Sequence, residues 1–183
     1  MPFLREGLAF PEGIESILIT EEEIRKRVNE LAQIISRDYR GTKPLLVGLL
    51  KGSFIFLADL ARALDIDSEI DFMTVSSYGN SMENSEVRIL KDLGEPIQGR
   101  DILIVEDIID TGLTLSRILE LLAARHPRSL KVCTLLNKPT RRKAQVTVDY
   151  NGFDIDDVFV AGYGIDFAQK YRNLPQLVVV KKA

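Results

Sequence analysis

The sequence predicts an α/β fold in which a mainly parallel, twisted sheet is flanked by helices. Apolar runs at residues 44–50 and again from residue 102 are typical of strands that are covered on both faces. A short turn follows each run, and the next segment carries apolar residues at helical spacing. The pattern does not predict the order of the strands. Since the loops of such βαβ units meet at the carboxyl edge of the sheet, we expect the functional residues there.

Composition limits the class of protein. A chain of 183 residues is expected to form one domain, and its 45% hydrophobic and 28% charged residues are typical of a soluble globular protein. The net charge of −3 argues against nucleic acid as the main partner. We find no signal pattern and no apolar segment long enough to cross a bilayer, which predicts a cytoplasmic protein without a membrane partner. The single Cys133 lies in an apolar run, which predicts a core position and a reduced compartment.

The first predicted helix begins at a capping box. Thr20 is followed by three glutamates. In such a box the threonine side chain and the third glutamate accept hydrogen bonds from free backbone N–H groups, and the acids suit the positive end of the helix dipole. Apolar residues at helical spacing continue to about Arg40, and Gly41 ends the helix. Before it, residues 1–19 predict at most an edge strand. We expect this helix to serve as scaffold.

A second strand, turn and helix follow. The turn is Lys51-Gly52-Ser53, and a helix with an apolar face begins at Phe54. The first N–H groups of a helix favour an anion, and Lys51 could add a positive charge there. From the residues alone, a surface lysine beside a helix cap is the better interpretation.

The next segment predicts two strands and a polar loop. Residues 68–76 alternate between apolar and polar side chains, and residues 87–90 predict a short second strand. Between them, residues 77–85 are polar and small. Such a segment is typical of a mobile hairpin loop and also of a lid that excludes water from a reacting substrate. Both interpretations can be true together.

Three acids interrupt the second buried run at the point where its strand must end: Glu106, Asp107 and Asp110. The turn Thr111–Thr114 follows, and the next helix opens after Thr114. A strand-to-helix turn favours a phosphate, paired acids favour a hard cation or ribose hydroxyls, and a third acid can act as a base. The alternative is a set of solvated acids with threonines that cap the helix. Acids inside so apolar a run are costly to bury, which favours a function.

The rest of the chain predicts several short strands. They cover residues 130–136, 146–148, 158–162 and 177–180. Lys138 follows the first of them, at the same rim as the acids, where it could donate to a carbonyl oxygen. The basic run at residues 141–143 is interpreted as a solvated face or a subunit contact without chemistry. From the residues alone, Phe159 is interpreted as core and Asp166 as a turn residue.

The acids followed by Asp-Thr-Gly-Leu-Thr resemble the phosphoribosyl pyrophosphate (PRPP) signature of the type I phosphoribosyltransferases. Leu-Lys-Gly-Ser at residues 50–53 resembles the pyrophosphate loop of the purine-salvage members, which often has a cis peptide before its lysine. Ser77-Tyr78 resembles the start of their flexible catalytic loop. Residues 159–175 resemble their purine-binding hood and its continuation. Four motifs in the expected order, between about residues 20 and 175, indicate the hypoxanthine-guanine branch of this family.

The resemblance implies roles for individual residues. Asp110 is expected to act as general base, or to hold the proton, at purine N7. Glu106 and Asp107 are expected to bind the ribose hydroxyls and, directly or through water, Mg²⁺, while Asp166 holds Mg²⁺ on pyrophosphate. Neighbours on a strand point to opposite faces, so the adjacent acids reach one site only if the strand has ended. The other implied residues are Ile109, Asp110, Thr111, Gly112, Leu113 and Thr114 for the 5′-phosphate, Lys51, Gly52 and Arg172 for pyrophosphate, Ser77 and Tyr78 for the flexible loop, and Lys138, Phe159, Val160 and Ile165 for the purine.

The resemblance also implies an activity. It predicts transfer of the phosphoribosyl group of PRPP to a 6-oxopurine, hypoxanthine and also guanine, which gives IMP or GMP and pyrophosphate. It further predicts one domain over residues 1–183, with hood elements from the N-terminal segment and about residues 137–183, in a homodimer or homotetramer. The alternatives are a PRPP-sensing regulator with the same fold, a pyrimidine or adenine phosphoribosyltransferase, and a magnesium-dependent phosphohydrolase. The last alternative leaves residues 50–53 and the hood unexplained.

Overall fold

The structure, a computed structural model, describes residues 13–78 and 86–181. The strands are β1 (Ile14–Ile19), β2 (Leu45–Leu50), β3 (Glu69–Tyr78), β4 (Glu86–Lys91), β5 (Asp101–Ile109), β6 (Ser129–Asn137), β7 (Tyr150–Asp154), β8 (Val160–Ala161) and β9 (Leu177–Val180). The helices are α1 (Glu21–Asp38), α2 (Phe54–Ala63) and α3 (Leu113–Ala123), with a 3-10 turn at Pro139–Arg141.

Six strands form the central sheet, in the order β4-β3-β2-β5-β6-β7. Neighbouring strands are parallel except for β3 and β4, which confirms the predicted mainly parallel sheet. The chain runs outward from β2 through β3 to β4 and then returns to the other side of β2 as β5. The loops after β2 and β5 therefore diverge and leave a crevice at the carboxyl ends of these strands, which is the usual binding position in such sheets.

The helices cover both faces of the sheet. Leu46 of β2 belongs to a core with α1 and α2, whereas Leu45 and Val47 belong to a second core with α3. The predicted capping box of α1 is present, since Glu23 N donates to Thr20 Oγ1 at 3.2 Å and Thr20 N donates to the Glu23 carboxylate at 2.8 Å. Cys133 is buried in the first core, as predicted. Within residues 13–78 and 86–181, the helices are too short or too polar to cross a membrane.

A second, smaller sheet joins the two ends of the chain. Its strands lie in the order β1-β9-β8, and both pairs are antiparallel. Ile14 of β1 packs there with Ala161, Leu174 and Val178. Strands β8 and β9 of this sheet follow β7 in the chain. β1 comes from the N-terminal segment and is the edge strand expected there.

Two predicted strands differ from the structure. Residues 146–148 do not form a strand, because Asp149 takes the hydrogen bonds of Val132 instead: its N–H donates to Val132 O at 3.0 Å, and its carboxylate accepts from Val132 N at 2.8 Å. The strand beside β6 is β7, which begins at Tyr150. The strand predicted at residues 158–162 is limited to Val160–Ala161, while the last strand is confirmed as β9.

Gly152 of β7 lies against the backbone of β6. A Cβ at this position would be 2.2 Å from the carbonyl oxygen of Leu135, which belongs to a paired strand and cannot move aside. We therefore expect Gly152→Ala to lower the free energy of unfolding by about 1–3 kcal/mol, measured by equilibrium urea denaturation. Gly94→Ala is the matched control, because the nearest atom to its Cβ would be Asp71 Oδ2 at 3.7 Å. Equal stability of the two variants would contradict the steric explanation.

Candidate active site

The turn after β2 forms one wall of the crevice beside β5. The peptide bond between Leu50 and Lys51 is cis, as the resemblance implied. The buried Ser53 fixes the turn by donating its Oγ hydrogen to Leu49 O at 2.7 Å. A Cβ on Gly52 would be 1.7 Å from Asp107 Oδ2, so the carboxylate of Asp107 packs directly against the Gly52 backbone.

The two adjacent acids of β5 lie in poorly solvated positions. Burial raises the pKa of Asp107 to about 6, although hydrogen bonds from backbone N–H groups and the charge of Arg172 oppose the shift. Burial and the neighbouring Asp107 raise the pKa of Glu106 well above its ordinary value. Glu106 Oε2 is buried and has no hydrogen-bond partner among the described residues. A buried oxygen in this state fits a ligand or a metal as its partner.

Strand pairing continues past these acids, so the prediction that the strand ends there is wrong. β5 runs to Ile109, and Glu106 is paired with Thr134 of β6. Val105 and Ile108 nevertheless pack against the same core, although they are three residues apart. Strict alternation would send them to opposite faces. The direction of the side chains therefore changes at Glu106 and Asp107 inside a paired strand.

The segment after β8 brings two more charges to the crevice. Arg172 Nη2 lies 2.5 Å from Asp166 Oδ1, and Nη1 donates to Gly164 O at 2.8 Å. Gly164 has a φ of +100°, and a Cβ there would be 2.2 Å from Gly52 O. The charges of Arg172 and Asp166 both act on Asp107. The residues predicted for pyrophosphate and for the metal therefore meet around the Gly52 turn.

The residues predicted for the 5′-phosphate lie where β5 is connected to α3. Ile109 ends β5, Leu113 and Thr114 begin α3, and the connection between them is Asp110, Thr111 and Gly112. Gly112 precedes the helix with a φ of +78°, which favours glycine, and α3 begins at Leu113 rather than after Thr114. The N-cap residue Gly112 makes no side-chain hydrogen bond, and the one threonine contact at this end is a long one, in which Leu113 N donates to Thr111 Oγ1 at 3.5 Å. The first N–H groups and the dipole of α3 favour a phosphate at this turn.

Sequence reasoning missed the segment that supports this turn. Lys143 N and Ala144 N both donate to Thr111 O, at 2.9 and 3.1 Å. Arg142 donates to Asp110 O at 3.3 Å and to the Asn137 side chain. Its side chain also packs against Gly112, where a Cβ would be 3.0 Å away.

The interpretation of residues 141–143 as a purely solvated face is therefore wrong for Arg142, which is half-buried against the turn. It is incomplete for Arg141, whose Nε donates to Asp110 Oδ1 at 3.1 Å. The alternative of a subunit contact stays a prediction. The only signal for these contacts in the sequence is that the basic run follows a strand that could neighbour β5.

The residues predicted for the purine lie at the adjoining rim. The Lys138 side chain is only 7% exposed, and its Nζ donates to Val158 O at 2.7 Å. Phe159 is 48% exposed, so its interpretation as core is wrong. Val160 and Ile165 are both buried, and Ile165 is paired with Gly162 in an isolated antiparallel bridge.

Ser77 and Tyr78 belong to the end of β3 and pair with Val87 and Glu86, so the loop does not begin at Ser77. The remainder of the predicted loop, residues 79–85, lies outside the described residues. Across the two described ranges, no group of three or more His, Cys, Asp or Glu side chains is arranged to hold a metal by itself.

Comparison with known proteins identifies the family. The phosphoribosyl transferase domain model matches residues 16–168. The chain is 53% identical to the hypoxanthine-guanine phosphoribosyltransferase of Bacillus subtilis over 171 residues, which are 93% of this chain and 95% of that one. It is 54% identical to the hypoxanthine phosphoribosyltransferase of Escherichia coli K12 over 164 residues, 88% of this chain and 92% of that one.

A solved structure of a hypoxanthine-guanine phosphoribosyltransferase from Bacillus anthracis superimposes with a TM-score of 0.89 at 48% identity. The match covers 92% of this chain and 99% of that one. Both the sequence and the fold agree over nearly the whole chain. The protein is therefore a member of the phosphoribosyltransferase family and belongs to its hypoxanthine-guanine branch.

Proposed function

We propose that the protein transfers the phosphoribosyl group of PRPP to a 6-oxopurine, hypoxanthine and also guanine, and releases IMP or GMP and pyrophosphate. One observation carries this proposal: residues suited to phosphate, pyrophosphate and purine converge at the carboxyl ends of β2, β5 and β6. The backbone next to the third acid is tied to the purine lysine, because Lys138 N donates to the carbonyl oxygen of Ile109, the residue before Asp110, at 2.9 Å. On the other side, Asp107 packs against Gly52.

Contacts with the 5′-phosphate and with the pyrophosphate, at the two ends of PRPP, would fix the position of the ribose between them. The turn Thr111–Thr114 would bind the 5′-phosphate through backbone N–H groups. Lys51, Gly52 and Arg172 would bind the pyrophosphate. Positioning of this kind can lower a barrier by roughly 7–11 kcal/mol in good cases. Ser77 and Tyr78, at the end of β3, would contribute to the exclusion of water from the reacting sugar.

Departure of pyrophosphate from C1 develops positive charge on the ribose, as in other glycosyl transfers. Glu106 and Asp107 would bind the ribose hydroxyls and place negative charge near this carbon. Asp110 would accept the proton at purine N7 or hold it there. Phe159 would stack on the base, and Lys138 would donate to its O6, with backbone groups of Val160 and Ile165 at the polar edge.

The acids fit a divalent cation, which we propose to be Mg²⁺. Glu106 has a buried oxygen without a protein partner, and the Asp107 carboxylate faces the Gly52 turn. Asp166 would hold Mg²⁺ on the pyrophosphate. Mg²⁺ is usually bound by one or two carboxylates together with substrate phosphates and waters, so it does not require a cluster of three protein acids. When bound, the ion would neutralise the charge that develops on the departing oxygens.

We also propose that residues 1–183 form one domain whose hood is the β1-β9-β8 sheet, and that the protein is a cytoplasmic homodimer or homotetramer. The cohesion of β1 with β8 and β9 supports a hood formed from both ends of the chain. The apolar helix faces permit association without selecting a number of subunits.

The proposed function is tested by steady-state release of pyrophosphate. The purified protein would be mixed with PRPP, Mg²⁺ and, in turn, hypoxanthine, guanine, xanthine, adenine or orotate. We expect turnover with hypoxanthine and guanine and formation of IMP and GMP. Binding of PRPP without turnover would instead support the regulatory alternative, and turnover with adenine or orotate alone would contradict the assignment of Lys138.

Lys138→Ala is expected to weaken use of the purine more than use of PRPP. Loss of one charge-assisted hydrogen bond to O6 should raise the KM for hypoxanthine by about tenfold or more, while the KM for PRPP changes little. The measurement is initial rate as a function of each substrate in turn. Lys131→Ala is the control, since this lysine lies beside Tyr39 and Tyr150, away from the rim. Equal losses for both substrates would count against a lysine that reads the base.

A further inference from the structure

Four alternating charges form a line along the rim, from the third acid to the purine site. Arg141 Nε lies 3.1 Å from Asp110 Oδ1 and 3.5 Å from Asp157 Oδ1. Asp157 Oδ1 also lies 3.6 Å from Lys138 Nζ. Arg141 therefore contacts both acids, and Asp157 contacts both cations.

The exposure of these side chains determines which contact has the largest consequence. Arg141 and Asp157 are 45% and 54% exposed, and ion pairs between exposed groups are generally weak. Lys138 is 7% exposed, so the charges near its ammonium are less screened by solvent. Removal of a charge at Arg141 or Asp157 should therefore shift the position of the Lys138 ammonium. It should have little effect on the free energy of unfolding.

We propose that Arg141 and Asp157 are positioning residues that determine where the Lys138 ammonium lies in the purine site. This inference rests on the proposed function, in which Lys138 donates to purine O6. Arg141 balances the charge of Asp157, so that Lys138 Nζ remains on Val158 O at 2.7 Å and is not drawn fully to Asp157. It also separates the two negative charges of Asp110 and Asp157.

Removal of Arg141 alone should impair recognition of the purine. In Arg141→Ala, Lys138 is the remaining cation that contacts Asp157 among the ion pairs of the described residues. The ammonium is then drawn toward that carboxylate and donates less well to the base. We expect the KM for hypoxanthine to rise by about tenfold, the size of one charge-assisted hydrogen bond. The KM for PRPP should stay within about twofold, because the phosphate turn is held by Arg142, Lys143 and Ala144.

Two further variants separate this role from a general structural one. Asp157→Asn in the Arg141→Ala background removes the unbalanced charge and should return the KM for hypoxanthine to within about threefold of the original value. Arg141→Lys keeps a positive charge at the same place and should recover part of the loss. Arg117→Ala is the matched control, because Arg117 is an exposed arginine paired with Glu120 on α3, away from the rim.

The outcomes are distinct. A selective rise in the KM for hypoxanthine that Asp157→Asn reverses would support the proposal. Equal losses for both substrates, or strictly additive effects of the two substitutions, would overturn it and leave the proposed function intact. A normal KM in Arg141→Ala would do the same. An original protein that shows no turnover with any 6-oxopurine would overturn the proposed function and this inference with it.

Discussion

Asp110→Asn is expected to lower turnover by about 10²-fold or more, while PRPP binds with nearly unchanged affinity. The substitution keeps the size of the side chain and its place in the turn between β5 and α3. It removes the carboxylate that would accept the proton at purine N7, so the loss should appear in kcat. The measurements are steady-state pyrophosphate release and calorimetric titration with PRPP and Mg²⁺.

Asp156→Asn is the matched control for this variant. Asp156 is exposed and lies in the segment before β8, near the same rim. Its substitution by asparagine changes the net charge of the protein by one unit, as Asp110→Asn does. It should retain turnover within about twofold, since it contacts no substrate in the proposed arrangement. Near-normal turnover of a correctly folded Asp110→Asn protein would refute the assignment of Asp110 as the base.

Gly52→Ala is expected to lower turnover by about 10²-fold with little loss of stability. The added Cβ would be 1.7 Å from Asp107 Oδ2, which is the far end of a side chain rather than backbone. The protein can therefore fold by moving the Asp107 carboxylate away from the turn. That movement displaces a proposed ligand of the metal and of the ribose, and small displacements of reacting groups have large effects on rate. Turnover and the thermal unfolding midpoint are measured on the same preparation.

Gly94→Ala serves as the control here as well, because its Cβ would make only an ordinary contact at 3.7 Å. Calorimetric titration with Mg²⁺ and pyrophosphate adds a second measurement for Gly52→Ala, and we expect weaker binding. A variant that keeps full turnover, or one that loses turnover only because it is unfolded at the assay temperature, would contradict the role given to the Gly52–Asp107 contact.

Much of the fold follows from local patterns in the chain. The capping box at Thr20, the apolar face of α1 and the buried run of β2 each contain their own structural signal, and all are observed. Where a distant segment competes for the backbone, local patterns fail. Val146 and Val148 have the composition of a strand, but Asp149 occupies the hydrogen-bonding groups of Val132. No pattern within residues 146–148 could reveal that competition.

In the candidate site, too, some residues are evident from local patterns, whereas others depend on contacts between distant segments. Asp107, Asp110 and the glycine turn are evident from the chain because acids inside an apolar run conflict with burial. The contacts of Arg141 and Arg142 with the phosphate turn join residues more than 30 positions apart in the chain. They depend on β6 lying beside β5, and the pattern of strands and helices does not specify that order.

By itself, the sequence determined the three helices, most strands of the central sheet, the family, and most of the residues proposed to bind PRPP and purine, because these are properties of short segments. Only the tertiary structure decided the strand order, the contact of Asp107 with Gly52, and the charges that surround Lys138. These features arise where segments distant in the chain meet, and their distances depend on how the sheet is assembled.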